Sequence, residues 1–325
     1  MALFIFSSAA IGFEPRFSCG MARDYVARQC RRAERHGLDV STQTLWDQHF
    51  ALARHLEPTW QKLWDLALAE EVLHVDETGW KMMGSRKKTN WTLFGLTAPS
   101  LAVYHLASSK LARATHEILQ GFSGTLVVDG YKVYPIVAEL EGNIRIAHCW
   151  AHADRKFKDA KDPPDQVSQI REWIAQLYEI EREVSGPFPG DAAAQAKRQG
   201  LRATKSAAVV SELRALAFSL GGLRRSGFGK ALRYLLSHWE GLTLFLEDPR
   251  IALDNNAAER VLRGPVIGRK NFYGTRSKRG AKAAAILYSL IETAKLSAVN
   301  PSVYLREAAI AAIRFPGSVT LPARK

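Results

Sequence analysis

The sequence predicts a mixed α/β fold into which a long, purely helical segment is set. Runs rich in β-branched and aromatic residues, the mark of strands, are confined to residues 72–149. Beyond about residue 155 they stop, and apolar residues recur at the spacing of one helix face. The end of the chain differs again. From Asn255 to Lys325 there are 13 Lys or Arg against three acids, an excess of ten within a net charge of +13.

The elements follow in order. Residues 21–36 read as a polar helix closing at Gly37, and Ser41 as the N-cap of a second helix over Thr42–Leu56. Helix, short glycine turn, helix is the outline of a helix-turn-helix, and two ordinary packed helices explain it equally well. Residues 1–70 therefore form an N-terminal helical region. Residues 71–157 carry the strands. Val72–Val75 is a short run ending at Asp76, and Trp91–Ala98 with Leu101–Ala107 reads as a hairpin about Pro99-Ser100. Arg113–Leu119 is a short helix closed by Gly121, Thr125–Val128 a strand ending at Asp129-Gly130, and Ile144–Cys149 a further strand. An all-helical insertion occupies 158–250, with Ile170, Trp173, Ile174 and Leu177 on one helix face and similar patterns over Val209–Leu220 and Ala231–Leu246. Residues 251–325 complete the core with helices near 256–264 and 281–297.

Composition narrows the class. With 47% hydrophobic and 24% charged residues the chain is folded and soluble rather than disordered. Three cysteines leave one over from any pairing, which points to a reducing compartment, the cytoplasm. The apolar opening of about ten residues has no positive residue ahead of it and is too short to span a bilayer, so no membrane association is expected. A concentrated basic surface attracts a polyanion and releases counterions on binding it, although a solvated basic face has the same composition.

Three acids stand where chemistry could use them. Asp76 and Asp129 each end a strand, and Glu259 opens a helix. Singly, each has a plain use, because Asp before Gly forms turns and Glu259 lies three residues after Asn256, as in a capping box. Together, two aspartates on neighbouring strands and a glutamate on a later helix can meet at one point. Such hard oxygen ligands suit Mg2+ or Mn2+, and two such ions stabilise the attacking and leaving oxygens of an in-line phosphoryl displacement. After Glu259 comes an acid-free basic run of Arg260, Arg263, Arg269, Lys270, Arg276, Lys278, Arg279 and Lys282, a fitting neighbour for a phosphate backbone. Within it, Gly274–Gly280 reads as a phosphate-holding loop, and the helix from Ala281 as its anchor through Leu287, Leu290, Ile291 and Ala294. Cys149-Trp-Ala-His152, with His148, admits two accounts. A structural zinc needs four ligands and finds one cysteine here, so the preferred account has Cys149 and His152 packing and hydrogen-bonding behind the acids to orient them.

Several blocks taken in order resemble one family. His74-Val-Asp-Glu-Thr-Gly-Trp80, Val127-Val-Asp-Gly-Tyr-Lys-Val-Tyr134, His148-Cys-Trp-Ala-His-Ala-Asp-Arg-Lys-Phe157 and Asp254-Asn-Asn-Ala-Ala-Glu-Arg260 are similar to the motifs of bacterial transposases of the insertion-sequence 66 group. So are Arg269-Lys-Asn-Phe272, Gly274-Thr-Arg-Ser277 and Asn300-Pro-Ser-Val-Tyr-Leu305. The resemblance runs from about residue 25 to 310. It implies a ribonuclease-H-like core interrupted by the helical insertion, with Asp76, Asp129 and Glu259 as a DDE triad holding two Mg2+ or Mn2+ ions. It implies cleavage and joining of DNA, with element ends and target DNA as partners, homo-oligomers on DNA and companion proteins of the element. Family members run longer at the N-terminus, so a shortened N-terminal region is expected. A nuclease that cuts without joining and a non-catalytic DNA-binding remnant are the alternatives.

Overall fold

The computed structural model describes residues 30–31, 34–35, 37, 39–82, 90–160, 162–220, 226–272 and 275–322. Five strands form one mixed sheet: β1 (Val72–Lys81), β2 (Asn90–Ala98), β3 (Leu101–Ala107), β4 (Gly124–Val128) and β5 (Ile144–His148), in the order β3-β2-β1-β4-β5. β1, β4 and β5 run parallel, with Val72, Leu73 and His74 opposite Thr125, Leu126 and Val127, and Val128 opposite His148. β2 and β3 form the antiparallel hairpin expected about Pro99-Ser100. The chain divides into two compact units.

The first unit takes the described residues of Met1–Glu70, Val75–Gly121 and Ala257–Lys325. Its helices are α1 (Thr42–Leu68), α2 (Ala112–Leu119), α10 (Asn256–Phe272, from Ala257 on), α11 (Lys278–Leu296) and α12 (Pro301–Arg314). Ser41 caps α1 as its sequence suggests, its hydroxyl accepting the Thr44 N–H at 3.0 Å. α1 then runs past the expected stop at Leu56 to Leu68. Pro58 sacrifices one helix hydrogen bond, but Leu63 and Ala67 continue the buried face beyond it. The helix expected at 21–36 lies mostly outside the described residues.

α11 is the central packing element of this unit. Leu287, Leu290, Ile291 and Ala294 are all buried, as their spacing demands. The helix also begins earlier than Ala281, because Ser277 caps it by accepting the Gly280 N–H at 3.1 Å. Lys278 and Arg279 therefore sit in a helix turn and not in the expected loop, whose first residue, Gly274, lies outside the described residues. α11 covers the free edge of β3 with hydroxyls. Ser289 Oγ accepts the Tyr104 N–H at 2.9 Å, and Thr293 Oγ1 accepts the Ala102 N–H at 3.1 Å while donating to its carbonyl at 2.9 Å.

The second unit takes Glu71–His74 and Phe122–Asn256. It contains β4, β5 and helices α3 (Val133–Glu141), α4 (Trp150–Ala160), α5 (Pro164–Arg182), α6 (Ala192–Leu201), α7 (Ala207–Ser219), α8 (Gly227–Ser237) and α9 (Trp239–Thr243). Its core joins Val127 and Ala147 of the strands to Trp150, Phe157, Ile170, Ile174, Leu177, Phe228 and Phe245. Among the described residues from Trp150 to Leu246 every element is helical, as the spacing predicts. α6 passes into α7 through a π-helical turn, Arg202–Ser206. There Arg202, fully buried, pairs with Glu181 at 2.6 Å and donates to the carbonyls of Phe245, Asp248 and Ile251. Arg198 pairs with the same carboxylate at 3.2 Å. Among the described residues no helix is long and apolar enough to cross a membrane.

Candidate active site

In the second unit β4 stops at Val128 and Asp129 follows, at the strand end that its sequence predicts. Its Oδ1 accepts the Tyr131 N–H at 2.8 Å, a local turn bond that fixes the carboxylate's direction. The glycine after it is not there for turn geometry. A Cβ on Gly130 would lie 2.5 Å from the Tyr234 ring and 2.7 Å from its hydroxyl, so the ring of an insertion helix occupies that space. Tyr234 is held in turn by His238, ring centroids 4.3 Å apart, and His238 meets His148 edge-on at 4.3 Å. His148 Nδ1 donates to the Asp129 carbonyl at 3.2 Å. Burial, reinforced by His238, pulls the His148 imidazole down to about 4, so it serves as a neutral donor.

The Cys-x-x-His block has a direct structural use. Cys149 is fully buried, and its Sγ accepts the Asn255 N–H at 3.3 Å. Burial pushes the thiol up to about 11, which keeps it protonated. The Asn255 side chain, also buried, accepts from His74 Nδ1 at 3.1 Å; burial pulls His74 down to about 4, again neutral. Cys149, Asn255 and His74 thus tie the start of α4, the loop before α10 and β1 together inside one unit. The Cys149 carbonyl accepts the His152 N–H at 3.2 Å. Asp254 receives the Asn256 N–H at 3.0 Å and the Asn256 side chain at 2.6 Å, so it caps the helix carrying Glu259. Asn256 is the first residue of that helix, which places Glu259 fourth and out of step with a capping box.

In the first unit Asp76 lies within β1 and not at its end. The polar stretch Glu77-Thr78-Gly79 reads locally as a turn, yet the strand continues to Lys81 because Thr275 grips its far end. Trp80 Nε1 donates to Thr275 Oγ1 at 3.1 Å, and the Thr275 N–H donates to the Lys81 carbonyl at 3.0 Å. Asp76 Oδ1 accepts the Glu77 N–H at 2.8 Å. Glu259 stands in the first turn of α10, as predicted, but α10 runs through Pro265 to Phe272 and not to 264. Two contacts seat it. The fully buried Tyr104 donates its hydroxyl to the Val261 carbonyl at 2.6 Å, and a Cβ on Gly95 would come within 3.0 Å of Leu262. Sequence reasoning does not single out Tyr104. Pro265, four residues after Val261, is the signal that could have found such a partner, since it cannot donate to that carbonyl.

The basic run divides by use. Arg260, Arg263, Lys270, Arg276 and Lys278 are exposed. Arg269 donates to Thr78 Oγ1 at 3.2 Å, Arg279 lies 4.0 Å above the Phe50 ring, and Lys282 pairs with Glu57. Asp76 and Glu259 belong to one unit and Asp129 to the other. Among the described residues no group of three or more His, Cys, Asp or Glu side chains is gathered so as to hold a metal ion.

Comparison with known proteins sets these residues in context. The profile described as "Transposase IS66 family" matches residues 26–283, which include all three acids and the Cys-x-x-His block. The uncharacterized protein y4hP of Sinorhizobium fredii is 31% identical over 309 residues, covering 86% of this chain and 55% of its own length. Uncharacterized proteins y4jD and y4qI of the same organism are 36% and 35% identical, over 65% and 66% of this chain and 42% and 40% of theirs. The chain spans about half the length of the curated relatives it matches.

Proposed function

This chain belongs to the IS66 family of transposases, and on that premise we propose that it cuts and joins DNA at a centre of Asp76, Asp129 and Glu259 in a ribonuclease-H-like core. The observation that carries the reading is the family match across 26–283, which embraces the three acids in order. The strand order β3-β2-β1-β4-β5, with the helical insertion following β5, supports it. So does the β1–β4 ladder, whose last pair is His74 and Val127, with Asp76 and Asp129 each two residues further on.

The three carboxylates are hard oxygen donors on elements fixed by packing, a donor set suited to Mg2+ or Mn2+. Two such ions, when bound, supply charge stabilisation for the attacking and leaving oxygens of phosphoryl transfer. The protein's own part is placement. Backbone N–H groups of Glu77 and Tyr131 orient Asp76 and Asp129. Cys149, His74 and Asn255 hold the loop that leads into the Glu259 helix. Arg260, Arg263, Lys270, Arg276 and Lys278 are assigned to the DNA backbone, where phosphate contacts release counterions. Arg269, Arg279 and Lys282 already have intramolecular partners and come second. The substrates are the element's ends and target DNA, engaged by a homo-oligomer together with companion proteins of the element.

The test uses labelled element ends with Mg2+ or Mn2+. Wild type should nick and join them. Asp76→Asn, Asp129→Asn and Glu259→Gln should each lose at least about a hundredfold in cleavage while binding DNA nearly as well. A variant that cuts at the wild-type rate removes its residue from the centre. Cutting without joining makes the protein a nuclease, and wild type that binds but never cuts makes it a DNA-binding remnant.

A further inference from the structure

A proline inside α10 creates a local problem, and a distant tyrosine solves it. In an α-helix the N–H of residue 265 would bond the carbonyl of residue 261, but Pro265 has none to give. Val261 is buried, so water is a poor substitute partner. Tyr104, reaching from β3, donates its hydroxyl to that carbonyl at 2.6 Å.

Tyr104 is itself firmly placed. It is fully buried, its N–H is taken by Ser289 Oγ at 2.9 Å, and its ring meets Tyr288 edge-on at 6.2 Å. Burial raises its ionisation well above the usual tyrosine range, so the hydroxyl remains a donor at any physiological pH. The next residue of the helix, Leu262, is seated on β2 where Gly95 leaves room for it. Glu259 lies two residues before Val261, in the same stretch of helix.

We infer that Tyr104 is a positioning residue for Glu259, acting through the Val261 carbonyl that Pro265 leaves open. Tyrosine and proline form a matched pair: phenylalanine at 104 would fill the same space but orphan the carbonyl. An alanine at 265 would supply the missing N–H from within the helix. The inference rests on the catalytic reading of Glu259 given above and adds what sets that side chain's place.

The experiment compares Tyr104→Phe, Pro265→Ala, the double variant and Glu259→Gln in the full chain, measuring kcat and KM for strand cleavage, DNA affinity and thermal midpoint. Tyr104→Phe should lose between about tenfold and a hundredfold in kcat, the scale of a small misplacement of a reacting group, with KM and DNA affinity unchanged. The double variant should recover most of that loss, because Pro265→Ala restores a backbone N–H that satisfies Val261 in place of the hydroxyl. If Glu259→Gln is inactive while Tyr104→Phe cleaves like wild type, the positioning role is wrong and the catalytic reading stands. If the double variant regains thermal stability but not kcat, Tyr104 does not act through Val261 and the inference is overturned. Full cleavage by Glu259→Gln would instead remove the catalytic reading itself.

Discussion

The two units complete buried stretches of backbone by different means. In the unit built on β4, β5 and the insertion, ions do it for the stretch 245–251: Glu181 sits between Arg198 and Arg202, and Arg202 spends its remaining donors on three carbonyls of that stretch. In the unit built on β2, β3 and α11, neutral hydroxyls do it, with Ser289, Thr293 and Tyr104 each completing a backbone group. The difference teaches where each unit is brittle. Removing one member of a buried ionic knot strands a charge, whereas removing one hydroxyl strands only neutral backbone groups of one residue.

The largest break in that comparison should come from Arg202→Met. It leaves Glu181 with Arg198 alone and takes the arginine donor from three carbonyls, of which Asp248's keeps the Ile251 N–H, and should cost about 3–5 kcal/mol in urea unfolding. A loss below about 1 kcal/mol would show that the knot is not what secures this unit.

Acid comes next. His74 and His148, both in the ionic unit, have folded values near 4 against an ordinary 6.5. Their folded values are depressed, so unfolding takes up protons as pH falls below 6.5, and stability is lost between there and about pH 4. At pH 5 each group should account for a loss of about 2 kcal/mol. His74→Gln should flatten its share of a stability–pH curve, and an unchanged curve would mean that His74 charges freely in the folded chain.

The smallest effect should be Ser289→Ala, about 1–2 kcal/mol, from leaving the Tyr104 N–H unmet at the sheet edge. If this change proved as costly as Arg202→Met, the contrast between the units would disappear.

The fold was legible wherever one local signal decided the matter. The hairpin about Pro99-Ser100, the Ser41 cap, the strand before Asp129 and the apolar face of α11 all follow from short stretches. The misreadings have a common cause, which is tertiary contact overriding a local stop. Glu77-Thr78-Gly79 resembles a turn, but Thr275 holds the strand extended through it. Pro58 and Pro265 resemble helix ends, but buried faces continue past the first and the second keeps its helix through a distant hydroxyl. Gly130 resembles a turn glycine because the residue that needs its missing Cβ, Tyr234, comes from the far end of the insertion. At the site, the acids and the Cys149 block could be found as motifs, because chemistry restricts residue type. The uses of Tyr104 and of Asn255 could not, since both lie in partners more than 100 residues away.

The hydroxyl-covered edge of β3 also governs the order in which the chain can be made. Ala102 and Thr293 are 191 residues apart, so the amides of β3 leave the ribosome long before α11 exists to cover them. At 5–20 residues per second that interval is about 10–40 s. For all of it, a strand with buried-type residues on both faces has an open row of donors and acceptors able to pair with another nascent chain. The helix that seals the edge follows 191 residues later, which leaves this hairpin open to chaperones that shield exposed strands during translation.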